Sequence, residues 1–169
     1  WGFAVSQCSS QLPRDMVARV LSVMGMVFDQ EGEALELALQ GGMINYAMSL
    51  TPLQEPNKEF KLSLAEPEKI EGEKCRVITI EHAKMPTLTM HFSKETGLIK
   101  KTKFKSKDAE QGFKEVTEEA VFLEYNEFDG FKSPTKIIMN RDEKLLVESF
   151  PQKVTFPDKL DESEFKRSE

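Results

Sequence analysis

The chain has 169 residues, 31% of them charged, and a net charge of −6. That length suits one domain burying roughly 70% of its extended-chain surface, and the acidic excess argues against a polyanion such as nucleic acid as a partner. No apolar run approaches the ~20 residues needed to span a bilayer, and no charged-then-apolar leader with a cleavage site is visible.

The first residue is Trp1 rather than Met. The sequence is therefore expected to be a piece of a longer chain, or one that has lost an upstream segment, and it does not fix the compartment. Residues from about 12 to 52 read as helical. Pro13 suits a first helical turn, and Val17, Val20, Leu21, Met24 and Phe28 recur at three- and four-residue spacing. Leu35, Leu39, Ile44 and Met48 continue the stripe, with Gly41-Gly42 expected to bend or break it, each glycine costing about 1 kcal/mol against alanine. Thr51-Pro52 ends the segment, because a residue before proline is pushed towards extended geometry. Met16, Met24, Met26, Met43 and Met48 all fall here, facing the sheet, and methionine suits both irregular cores and adaptable apolar surfaces.

From Glu59 the period changes to two, giving about seven strands separated by turn signals. Turns are expected at Glu66-Pro67, Glu71-Gly72, Met85-Pro86, Lys94 to Gly97, Asp108 to Gly112, Asp129-Gly130 and Asn140 to Glu143. The reading is an α+β fold, mainly antiparallel β, in a single domain spanning residues 1–169: helical part about 12–52, β-meander about 59–157, and a polar tail at 158–169.

Neighbours in an antiparallel pair share a face, so the turns can be checked against one another. They place Phe92 opposite Leu98, Phe104 opposite Val116, Leu98 opposite Phe122, Phe122 opposite Ile137 and Ala120 opposite Met139. A three-residue loop at Arg141 to Glu143 then extends the row to Leu145 and Val147. One face carries Leu88, Met90, Phe92, Leu98, Phe104, Val116, Ala120, Phe122, Ile137, Met139, Leu145 and Val147, with Lys100 and Glu118 out of character. The opposite face pairs Lys105 with Glu115 and Lys101 with Glu119, which makes the lysine row a solvated outer surface. Val121, Leu123 and Ile138 also point outward, so that face is partly covered or the register slips near Pro134.

Catalytic chemistry is absent from the pattern. There is no phosphate-cradling glycine loop, no paired-cysteine metal spacing, no nucleophile placed beside a histidine, and no carboxylate pair in an apolar setting. His82 and His91 read as surface residues, and Cys8 and Cys75 as two separate thiols rather than a bridge. No cofactor and no metal are expected, and no enzyme activity.

Several runs carry a family resemblance over about two thirds of the chain. They are Thr-Pro-Leu at 51–53, Glu-Gly-Glu-Lys-Cys-Arg-Val at 71–77 and His-Phe-Ser-Lys-Glu-Thr-Gly-Leu-Ile-Lys at 91–100. Further on come Glu-Tyr-Asn-Glu-Phe-Asp-Gly-Phe-Lys-Ser-Pro-Thr-Lys at 124–136 and Lys-Leu-Asp-Glu-Ser-Glu-Phe at 159–165. In order and spacing they resemble the LolA/LolB-like, outer-membrane lipoprotein-sorting-related family. Ser93 departs from that family's usual aspartate, and the strands that normally precede the tryptophan matching Trp1 do not appear.

The resemblance implies a curved half-barrel sheet closed over helices, a periplasmic or cell-envelope setting, and an apolar hollow that takes an acyl chain or lipidated protein. Its candidate lining is Met24, Phe28, Leu88, Met90, Phe92, Leu98, Phe104, Phe122, Ile137, Met139 and Val147. A structural module with a filled core, docking a protein partner at an exposed sheet edge, is the alternative.

Overall fold

In the computed structural model of the chain, the described residues are 32–50 and 59–152, with the backbone of 20–23 and 26–29. Cys8, Pro13, Met16, Val17, Met24, the Thr51-Pro52 stop and the tail at 158–169 lie outside them. Val20–Val23 (β1) and Met26–Asp29 (β2) pair antiparallel, with Leu21 opposite Phe28. This corrects the helix expected over Val20, Leu21 and Phe28. Valine at 20, 23 and 27 favours extended backbone, and so short an apolar run fits either period.

Helix α1 spans Gly32–Met48 without a break, a second correction. Glu33 sits in its first turn, where the helix dipole favours a carboxylate. Gly41 and Gly42 lie inside the helix, which is held by tertiary packing rather than by propensity there. The packed side is the C-terminal half: Ile44 and Ala47 are buried against the sheet, with Met43, Tyr46 and Met48 beside them. Leu39, part of the expected stripe, is exposed. The helix ends where Leu50 adopts a left-handed φ of 62° and Ser49 Oγ donates to the Tyr46 carbonyl at 2.7 Å.

Seven strands follow: β3 (Lys61–Ile70), β4 (Glu73–His82), β5 (Met85–Ser93), β6 (Ile99–Asp108), β7 (Lys114–Phe128), β8 (Phe131–Arg141) and β9 (Lys144–Ser149). They form one open antiparallel sheet in chain order, with β3 and β9 at its edges. Glu66-Pro67 is not a turn. It lies inside β3 as an irregularity between Ala65 and Glu68, tolerated because proline on an edge strand need not donate to the ladder. Likewise Met85 and Pro86 already belong to β5, and Ala83-Lys84 makes the turn before them.

Glu71-Gly72 and Asp129-Gly130 are two-residue turns with both residues at positive φ, the geometry that matches strand twist. Asp142 and Glu143, at φ 48° and 64°, make a third, so the expected three-residue loop is a two-residue turn. An irregularity then shifts Leu145 opposite Asn140, while Val147 faces Met139. Around Asp129-Gly130 the expected pairs Phe122–Ile137 and Ala120–Met139 are present. No slip occurs at Pro134. Instead Glu124 takes a φ of 52° and its carbonyl accepts the Thr135 hydroxyl.

Elsewhere the register differs by two residues or by a bulge. Phe92 faces Ile99 rather than Leu98, Phe104 faces Glu118 rather than Val116, and Val116 faces Ser106. A shift of two leaves every side chain on its own face. The ion pairs Lys105–Glu115 (2.6 Å) and Lys101–Glu119 (2.9 Å) therefore form as diagonal neighbours, and Lys103 joins Glu119 at 3.0 Å.

Candidate ligand-binding face

One register row crosses all seven strands on the side that α1 covers: Leu64, Ile78, Met90, Thr102, Ala120, Met139 and Val147. Period-two alternation puts these positions on one face, and all but Thr102 are apolar. The burial along the row is uneven. Met90 is fully buried and Thr102 nearly so, whereas Leu64 is 80% exposed and Val147 39%. The helix thus seals the middle and leaves apolar surface at both rims. The Thr102 hydroxyl, buried mid-row, has no hydrogen-bond partner among the described residues.

The expected lining residues fall into distinct settings. Leu88 and Met90 lie directly under Ile44 and Ala47, with Phe92 and Phe104 packed at the border of that cluster. Phe122 and Ile137 are buried as a direct cross-strand pair, and Met139 is half-buried. Leu98 lies outside β6, half-buried in the β5–β6 connection, where its carbonyl accepts the Ser93 N–H at 2.8 Å. Phe28 is in β2, described as backbone only, and Met24 is outside the described residues. Leu145 sits on the β9 edge, 64% exposed.

Several residues of this face were not anticipated. Phe60, Ile78 and Ile80 join the core, and Leu62 and Leu64 continue it onto β3. The alternation of Ile78 and Ile80 is readable in the sequence, but a turn expected at Glu66-Pro67 splits β3, so Leu62 and Leu64 fall outside the expected row.

The face is polar at its far end. Arg141 binds Asp108 at 3.1 Å and Glu118 at 3.0 Å, which accounts for Glu118 on an apolar face. Burial pushes the Asp108 carboxyl up, yet hydrogen bonds from Gln111 and the Glu110 N–H, with the Arg141 charge, hold it below the usual carboxylate range. Lys100, the other anomaly, turns to Glu73 at 3.0 Å.

The two histidines are not surface residues. His91 does lie opposite to Met90, but it is 2% exposed, with Nε2 3.1 Å from Glu68 and Nδ1 3.3 Å from the Lys101 carbonyl. Cys75 lies on β4 between those two strands, fully buried and free, and burial pushes its thiol up. The His82 side chain is 6% exposed, stacked on Phe60 at 4.7 Å, and its Nδ1 accepts the Lys84 N–H. Among the described residues no three His, Cys, Asp or Glu side chains converge as metal ligands, and no helix is long and apolar enough to cross a membrane. The face opposite α1 carries a polar hollow of about 240 Å³, lined by Lys103, Thr117, Glu119, Asp142 and Glu143.

No family model matches the chain, and no curated protein does. Two solved structures are similar to it. An outer membrane lipoprotein-sorting protein domain from Vibrio parahaemolyticus has a TM-score of 0.48 and 14% identity, over 63% of this chain and 46% of that one. A LolA superfamily protein from Nitrosomonas europaea has a TM-score of 0.43 and 13% identity, over 66% of this chain and 50% of the other. The chain spans about half the length of these structures. Both carry names of the family that the strand motifs resemble.

Proposed function

We propose that the protein is a non-enzymatic cell-envelope carrier or sensor that takes an acyl chain or a lipidated protein against its helix-side face. The observation that carries this reading is the row from Leu64 to Val147: apolar across the sheet, covered in the middle and uncovered at its rims. Solvent-facing leucines contiguous with a core are where added apolar burial is favourable, at about 25 cal/mol per Å² before ordering costs. The envelope setting rests on the strand-motif resemblance. Denaturing mass spectrometry of lipid extracted from the purified full chain tests the proposal. Acyl lipid near one molecule per chain is expected, and a lipid-free protein that also fails to take up added acyl chains would sink it.

A second reading has its own support. Ile80, Leu88 and Met90 are completely buried, and β9 presents exposed Leu145 and Leu146 on an edge that is unpaired among the described residues. A filled core with an open edge suits an interaction module that docks a partner by strand addition.

A further inference from the structure

Eight cations on this sheet are paired with a carboxylate: Lys61 with Glu81, Lys100 with Glu73, Lys101 and Lys103 with Glu119, Lys105 with Glu115, Lys107 with Glu33, Lys136 with Glu148, and Arg141 with Asp108 and Glu118. Lys84, Lys114, Lys132 and Lys144 make no such pair among the described residues and sit singly in different turns and strands, whereas four other unpaired cations lie together. Lys69 on β3 stands directly opposite Lys74 on β4, and Arg76 follows two residues along the same face. Lys94 adjoins them, its N–H bonded to the Lys74 carbonyl at 3.0 Å. All four side chains are exposed, and none has an ion pair among the described residues.

Like charges directly across a strand pair destabilise it. No carboxylate of the described residues comes within ion-pair distance of this cluster: Glu68 is held by His91 and Glu73 by Ser93 and Lys100, both on the opposite face, Glu71 and Glu95 occupy the neighbouring turns, and Glu66 lies in the β3 irregularity across from Arg76.

The cluster's position gives it meaning. Arg76 is paired with Phe92, and Ile78 and Ile80 continue its alternation into the core. Exposed Leu62 and Leu64 precede Lys69 on the adjacent strand. Unpaired cations therefore cap the end of the apolar face opposite to the Arg141 network, beside its uncovered rim.

We propose that Lys69, Lys74, Arg76 and Lys94 bind the anionic headgroup of a single amphiphile whose chain lies along the rim of the helix-side face. The ligand class is thereby an anionic lipid, a phosphate or carboxylate on an acyl chain. This rests on the acyl-binding reading and adds headgroup selection to it. In a chain of net charge −6 the attraction is local and weakens with salt.

Calorimetric titration of the full chain with palmitoyl lysophosphatidylglycerol and palmitoyl lysophosphatidylcholine, both below micelle formation, tests it. The anionic probe should bind roughly tenfold tighter at low salt. That preference should vanish in the Lys69→Gln, Lys74→Gln, Arg76→Gln triple variant, and persist in a Lys84→Gln, Lys132→Gln, Lys144→Gln control of equal charge change. All six positions are exposed, and circular dichroism checks the fold. Equal binding of the two probes, or a preference surviving in the first triple variant, overturns the headgroup site while leaving acyl binding intact. Displacement by glycerophosphate alone would make it a free-phosphate site, and cosedimentation with phosphatidylglycerol vesicles without lysolipid uptake would make it a membrane-docking patch; either overturns the proposal. Failure to bind either lysolipid removes the acyl-binding reading as well.

Discussion

Ser93 connects two hairpins through one hydroxyl. Its Oγ accepts the N–H groups of Glu95 and Thr96 at 3.1 and 3.0 Å and donates to Glu73. The Ser93 hydroxyl, and after it Lys100, hold the Glu73 carboxyl below the usual carboxylate range. A depressed carboxylate contributes stability that is present above its unfolded value and lost as pH falls through the folded one. Ser93→Ala should therefore cost about 1–2 kcal/mol in urea unfolding at neutral pH, and less at acidic pH where Glu73 is protonated. Ser93→Asp should be no rescue: it keeps the turn acceptor but places a second carboxylate on Glu73. The departure from aspartate at this position was visible in the sequence. Its cause was not, because Glu73 is reached only across the β4–β5 pairing. The same limit applied to His91, whose face was legible from Met90 and Phe92, while Glu68 lies two strands away.

Among the elements, α1 keeps two glycines in its interior at a cost of about 1 kcal/mol each. A Cβ added to either would meet nothing within 4 Å. Gly41→Ala and Gly42→Ala should each raise stability by roughly 0.5–1 kcal/mol, read as a higher thermal midpoint, and adding both should not alter the fold. A drop in the midpoint would mean that the glycines serve a motion the packed helix conceals. The strands were more legible than the helix. Alternation assigned Leu88, Met90, Phe104, Phe122 and Ile137 to one face, because the period of two survives a register error of two. What it could not supply was the offset. The β6–β7 connection ends with Gly112 and Phe113 at positive φ, and β6 begins with a bulge at Ile99; each displaces pairing without changing the hydrophobic pattern.

Across the whole molecule, the acyl-binding reading makes the exposed rim functional rather than incidental. The Leu62→Glu, Leu64→Glu double variant should change stability by no more than about 0.5 kcal/mol per site, since both side chains are exposed, yet lower acyl-lipid affinity several-fold in a fluorescent fatty-acid displacement assay. Unchanged affinity would move the binding surface elsewhere. The general architecture, an antiparallel sheet against a helix, followed from period changes and turn residues. The distribution of cover over that sheet did not, because it depends on where α1 docks, and its buried apolar contact comes from its C-terminal half.

The order of strands in space is also their order in the chain, and every pairing within the sheet joins consecutive strands. The docking of α1 onto β5 joins parts far apart in the chain, but each hairpin closes a short loop, so no strand pairing within the sheet waits for distant segments to meet. It also makes the sheet extensible: a strand supplied at β3 or β9, by the same chain or another, prolongs the structure without rearranging any strand already in place.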